Sequence, residues 1–221
     1  MTYIVVEGHD GCGKSTIVNK LNDKLSEKYD VVKTIHPGST ALGAHLRQLV
    51  KYTKTINENI VIDDLSRQTL YMVDTIAFIK TILEPSLKQN KIVLADRSSY
   101  ISSVMYGLAD GVKLKELDVL TDIIETPKAD RVYVVTCSRE TANIRSNRKD
   151  GDHYDSKSPD FFDKVISTYN NIKTLDIRIL SIIQKLVNLN NIVHISSDNK
   201  SPDEILDFII NDLVVNKIID I

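Results

Sequence analysis

Two cysteines, Cys12 and Cys137, are all that the sequence holds, and they form neither a disulfide framework nor a metal-ligand spacing, which suits a reducing compartment. No apolar run approaches the length of a membrane span. Neither sign of charge prevails, with 28 lysines and arginines against 30 aspartates and glutamates, so no global field favours nucleic acid or a membrane as partner. Anion binding must then be local. There is no internal repeat, low-complexity tract or linker, and the opening "MTYIVVEG" has no basic region, signal core or cleavage site. These absences lead to the expectation of a cytoplasmic protein. What is present is 42% apolar residues over 221 positions, enough for one ordinary globular core.

Three of the eight glycines fall within ten residues, "EGHDGCGKST", 7 to 16. The stretch fits the phosphate-loop pattern of glycine, four residues, glycine, lysine and serine or threonine. Glycines bring backbone amides close to phosphate oxygens, Lys14 adds a positive charge for the outer phosphates, and Ser15 offers a hydroxyl to Mg2+. The candidate cradle is Gly8, His9, Asp10, Gly11, Cys12, Gly13, Lys14, Ser15 and Thr16. Such a loop must follow a strand and open a helix. "TYIVVE" before it and "KSTIVNKLNDKLSEK" after it meet that demand, which a glycine-rich surface turn would not need.

β-Branched runs recur along the chain: "TYIVVE", "YDVVKTI", "NKIVLAD", "DRVYVVTC" and "NNIVHIS". Helices are expected over 14–28, 41–52, 62–88, 113–124, 138–149, 158–188 and 202–217. Near-continuous apolar strands separated by crossover-length segments predict an α/β fold, a doubly wound five-stranded parallel sheet of the P-loop NTPase type flanked by helices. The whole chain, 1–221, reads as a single domain with a lid at about 139–156, where "RKDGDHYDSKSPD" is the most turn-rich stretch. Ligands should bind beyond the carboxyl ends of the strands.

There the third strand ends in Asp96 and Arg97. An acid so placed can help hold Mg2+, and the arginine can reach a transferring phosphoryl group, although a surface ion pair would look the same. In "SRETANIRSNRKDGDHYD", Arg145 and Arg148 share a helical face, with Arg139 and Lys149 nearby. Spacing alone leaves a solvated face and a cationic lid equally open.

Five stretches in order resemble the thymidylate kinase family of nucleoside monophosphate kinases: Glu7 to Lys14, Pro37-Gly38 after the second strand, "LEPSLKQNKIVLADR", "DHYDSKSPDFFDKVISTY" and "HISSDNKSPDEILDFI". The resemblance implies transfer of the γ-phosphoryl of MgATP to a deoxynucleoside 5'-monophosphate, dTMP foremost, by a homodimer. It implies that Asp10 holds the acceptor sugar and Arg97 its phosphate. Tyr154 crowds out a 2'-hydroxyl, Asp155 is a neighbouring carboxylate, and Tyr71 stacks on the base. The family supplies an arginine either from the phosphate loop or from the lid. Since the loop position is Cys12, Arg145 and Arg148 are expected to serve.

Some positions depart from the family. Asp74 matches its acid, but Thr75 stands where an arginine reads the thymine edge, and a missing polar contact of that kind alters base discrimination. His36 precedes Pro37 where an acidic or aromatic residue is usual. The spacing after Asp-Arg also differs, so Ser98, Ser99 and Tyr100 are expected to reshape the acceptor pocket. Three other readings fit less well, and the first is excluded by its motifs. A GTP switch lacks its Asp-x-x-Gly and Asn-Lys-x-Asp motifs here. A deoxynucleoside kinase needs a carboxylate base that "IHPGST" does not offer. A non-catalytic nucleotide-binding module sits poorly with Lys14, Ser15, Asp96 and Arg97 all present.

Overall fold

The computed structural model describes residues 1–57, 59–145 and 153–220, with the side chains at 54, 55, 99, 155 and 156 outside that description. The chain runs β1 (Thr2–Glu7), α1 (Lys14–Ser26), β2 (Val31–Ile35), α2 (Ala41–Lys51), α3 (Thr53–Ile56) and α4 (Asp64–Phe78). A π-helical turn, Ile79–Leu83, joins α4 to α5 (Glu84–Lys88), followed by β3 (Ile92–Asp96), α6 (Ser99–Asp110), α7 (Leu114–Asp122), β4 (Arg131–Thr136) and α8 (Arg139–Arg145). The described remainder holds α9 (Pro159–Asn170), α10 (Ile177–Leu186), β5 (Ile192–Ser196) and α11 (Pro202–Val215).

The strands form one parallel sheet in the order β2-β3-β1-β4-β5. Side chains alternate across it. Tyr3, Val5, Val93 and Ala95 face a layer containing Met72, Phe78 and Leu83. Ile4, Val6 and Leu94 face Ile17, Leu21 and Leu25 of α1 with Ile205, Ile209 and Leu213 of α11. Burial on both faces is why the inner strands read as unbroken apolar runs. The register sets Val6 and Ile35 level with Asp96, and Glu7 level with Val134. All the motif-bearing loops therefore leave the same edge of the sheet.

Two helical expectations need correction. α6 lies outside the expected spans, its three serines and Gly107 masking apolar positions Tyr100, Ile101, Val104 and Met105 that recur at helical spacing and are buried. The expected helix over 158–188 is two helices. α9 stops at Asn171, and Asp176 starts α10 by accepting a hydrogen bond from the Arg178 backbone amide at 2.9 Å. Among the described residues, no helix is long and apolar enough to cross a membrane.

Candidate active site

The loop between β1 and α1 is wedged against the end of β4 and the start of α8. Gly8 and Gly11 have φ of 141° and 81°, and a Cβ on Gly11 would stand 2.5 Å from the Ala142 carbonyl oxygen. A Cβ on Gly8 would overlap the Val135 carbonyl. Only glycine meets both demands. Lys14, buried, donates to the His9 carbonyl at 2.6 Å, and Ser15 Oγ donates to Asp96 Oδ2 at 2.8 Å. This last bond joins the phosphate loop to the end of β3. It sets two hard oxygen donors side by side, a set suited to Mg2+.

His9 stitches the loop to β4. Its Nδ1 bonds the Asp10 carbonyl at 2.9 Å, and its Nε2 accepts from the Cys137 amide at 3.1 Å, which fixes a neutral tautomer. Burial, aided by the Lys14 charge, lowers its pKa to about 4. Because the folded value lies below the ordinary one, this contribution to stability is complete above about pH 6.5 and is lost as pH falls towards 4. The loss should approach about 3 kcal/mol. Urea unfolding at pH 7 and pH 4.5 should show a smaller acid loss in His9→Gln than in the natural protein. Equal losses would refute the linkage. Of the two buried thiols, Cys137 is pushed up to about 11 by burial and by nearby Cys12, which leaves it protonated and unreactive.

Arg97 adopts a left-handed backbone with φ 70°, while its guanidinium donates to the Gly8 carbonyl at 2.6 Å and to Asp10 Oδ1. Tyr106 stacks under it, with the guanidinium carbon 5.6 Å from the ring centroid, and its hydroxyl lies 3.3 Å from Asp10 Oδ2. The enclosing cleft disfavours charge on Asp10. Arg97, Lys14 and Lys51 outweigh that effect and hold the carboxyl well below its usual range.

Behind this pair sits Glu7, fully buried. It accepts from the Ser98 amide at 2.6 Å, from the Ser98 and Ser102 hydroxyls, and from the Tyr169 hydroxyl at 3.0 Å. It thus pins the turn that carries Arg97. The sequence marks Glu7 only as part of a motif, since its partners come from α6 and α9.

Two cavities open on this edge. One, of about 150 Å3, has Arg47, Lys51 and Arg97 on its wall together with His36, Tyr71 and Tyr154. The other, of about 420 Å3, runs along the phosphate loop to Arg145, Ser197 and Lys200. Asp10, Lys14 and Ser15 line both. A residue set shared by two cavities is what transfer between two bound molecules requires.

A thymidylate kinase family model matches residues 6–191. The chain belongs to the thymidylate kinase family. A thymidylate kinase of Mycoplasmopsis agalactiae is 32% identical over 97% of this chain and 95% of its own length. One from Caldicellulosiruptor saccharolyticus is 33% identical over 78% of this chain and 83% of its own. A thymidylate kinase structure from Candida albicans superimposes with a TM-score of 0.74 at 22% identity, covering 98% of this chain and 92% of that one. One from Ehrlichia chaffeensis gives 0.68, also at 22% identity, covering 96% and 97%. These two likenesses bear on the fold, which is the expected α/β architecture.

Within this family frame the structure brings most expected residues together and displaces others. His36, Pro37, Tyr71 and Tyr154 line the smaller cavity; the Tyr154 ring lies 4.9 Å from Tyr106 and stacks on Phe161. Thr75 is not on that wall. It is buried, and its hydroxyl donates to the Tyr71 carbonyl at 2.9 Å within α4. Ser98 instead caps α6 and holds Glu7, and Tyr100 is core, so the pocket is shaped by Ser102, Ser103 and Tyr106 one helical turn further on. Ser99's side chain lies outside the described residues. Arg145 is at the larger cavity but donates to Ser197 Oγ at 3.0 Å and to the Ser197 carbonyl at 3.2 Å. It sits at the cavity wall formed by the β5–α11 turn. Arg139 pairs outward with Asp163. Arg148, Lys149 and the Asp155 side chain lie outside the described residues. Arg47 and Lys51, two cations of α2 on the wall of the smaller cavity, carry no motif and are legible only once α2 has folded against the cleft.

Proposed function

We propose that the protein transfers the γ-phosphoryl group of ATP to the 5'-phosphate of dTMP, giving ADP and dTDP. The observation that carries this reading is the meeting of two cavities at Asp10, Lys14 and Ser15, with a cationic wall on the smaller side. A neutral sugar hydroxyl would need a carboxylate base, whereas a monophosphate arrives anionic and needs alignment and neutralisation.

In this reading ATP lies along the larger cavity with its β and γ phosphates on the loop amides and Lys14. Ser15 and Asp96 would hold Mg2+, which when bound draws negative charge from the phosphate oxygens. Arg97 aligns the acceptor phosphate, and Asp10 and Tyr106 meet the sugar. Tyr71 offers its ring face to the base, a contact that any base can use. The segment 139–156 acts as a lid that excludes water, Arg148 and Asp155 belonging to it. In this reading the protein is a homodimer of the cytoplasm.

The test is to incubate the protein with MgATP and each nucleoside 5'-monophosphate, beside free thymidine and deoxycytidine, and separate the products. Rapid dTDP formation is expected; phosphorylation of free nucleosides alone would overturn the reading. Arg145, tied to Ser197 at the wall of the donor cavity, contributes to holding ATP. Arg145→Ala should raise KM for ATP about tenfold and leave kcat within about threefold. A large fall in kcat at unchanged KM would instead place Arg145 on the transferring group.

A further inference from the structure

A buried carboxylate stands directly behind Arg97. The Glu7 side chain is fully enclosed, and its Oε2 lies 4.0 Å from Arg97 Nη1, the nitrogen that donates to the Gly8 carbonyl at 2.6 Å. That separation is the outer limit of an ion pair. The donors around Glu7 divide between its two oxygens. Oε1 accepts from the Ser98 amide at 2.6 Å and from the Ser98 hydroxyl at 3.0 Å. Oε2 accepts from the Gly8 amide at a longer 3.3 Å and from the Tyr169 hydroxyl at 3.0 Å. Ser102 Oγ stands 3.1 and 3.0 Å from the two oxygens but has a single proton to give. Tyr169 has one other partner in reach, Ser102 Oγ, and that is farther away at 3.4 Å. Among the described residues, Tyr169 is therefore the side chain whose hydrogen is committed to Oε2. Burial and the Glu7 charge raise the Tyr169 pKa well above its usual value, so the hydroxyl keeps that hydrogen. The ring itself is fully buried on the inner face of α9 with Phe161 and Val165, behind the cavity wall.

We propose that the Tyr169 hydroxyl is a positioning group for the acceptor phosphate: by satisfying Glu7 Oε2 it keeps Arg97 from being drawn onto Glu7 and leaves the guanidinium aimed at the cleft. This rests on the reading of Arg97 as the arginine that aligns that phosphate. An enclosed carboxylate draws in any donor within reach, because a buried charge short of hydrogen bonds is costly. Without the Tyr169 hydrogen, Arg97 Nη1 needs to move by only about 1 Å to donate to Oε2 at an ordinary charge-assisted distance. The movement pulls the guanidinium back from Asp10 and neutralises its charge inside the protein, where it serves an incoming phosphate less well. Tyr169 thus acts on the nucleotide through Glu7 and Arg97, from a helix that carries no phosphate-binding motif.

The experiment compares the full chain with its Tyr169→Phe variant, which keeps the ring and removes only the hydroxyl. Calorimetry should show dTMP binding weakened about tenfold, the factor for one hydrogen bond to a charged group, while ATP binding stays within about twofold. A crystal structure of the nucleotide-free variant should place Arg97 Nη1 about 3 Å from Glu7 Oε2. In a Glu7→Gln background, where a neutral amide does not draw the guanidinium, adding Tyr169→Phe should weaken dTMP by less than about threefold. A dTMP affinity unchanged in Tyr169→Phe would overturn the proposal. Equal losses for dTMP and ATP would overturn it too, since they mark a tyrosine that only supports the fold. So would a variant structure in which Arg97 stays 4.0 Å from Glu7, or a full loss of dTMP affinity that persists in the Glu7→Gln background. Natural protein that binds dTMP but forms no dTDP would refute the kinase reading alone, because the affinities and the position of Arg97 still decide the role of Tyr169.

Discussion

Lys14→Ala should lower turnover by at least about a thousandfold while the far-ultraviolet circular dichroism stays that of the folded protein. Lys14 is buried at the junction of the two cavities, and its ammonium reaches the His9 carbonyl at 2.6 Å. In the proposed reaction that ammonium turns to the phosphates, where charge shifts between oxygens as the bond to the leaving group loosens. Within a water-poor cleft a fixed positive charge acts over short distance and needs no solvent reorganisation, so its removal is felt mainly in kcat. The fold loses one hydrogen bond to a carbonyl, about 1 to 2 kcal/mol. Turnover above a tenth of the natural rate would show that the loop does not hold the transferring phosphates in this way.

Arg97→Lys should be nearly as damaging, with kcat/KM for the monophosphate down about a hundredfold and KM for ATP little changed. The guanidinium spans the Gly8 carbonyl and the Asp10 carboxylate from a left-handed backbone, with Tyr106 beneath it. A planar fork makes both bonds at once and leaves donors for an incoming phosphate; an ammonium reaches one partner at a time. Lysine would keep the positive charge but could not hold the Gly8 carbonyl and the Asp10 carboxylate together, so Asp10 would be less firmly placed for the sugar hydroxyl. Initial rates at varied acceptor and fixed ATP separate the two effects. If Arg97→Lys keeps kcat/KM within threefold, the arginine is structural, a strut between loop and strand.

The phosphate loop, the Asp-Arg pair and the parallel strands were legible because each is local. Gly8 to Ser15 lie within eight positions, and an apolar run needs no partner to be recognised as a buried strand. Reading α6 failed because serines count against a helix in isolation, although here Ser98 caps it and Ser102 bonds Glu7. Arg145 was recognised as important from its place in the family pattern, but its seat at Ser197 depends on the turn after β5, which only the sheet order places beside the loop.

By itself the sequence determined the class of chemistry, since glycines, Lys14, Ser15, Asp96 and Arg97 in that order and setting admit few uses besides phosphoryl transfer. The tertiary structure decided who stands next to whom. Glu7 meets Tyr169 across 162 positions, and His36 meets Asp74 across 38. Such pairings arise because a parallel sheet brings the ends of distant strands to one edge and packs helices against it. Hydrophobic patterning specifies that burial closely, but it leaves the polar partners inside the cleft to be settled by geometry.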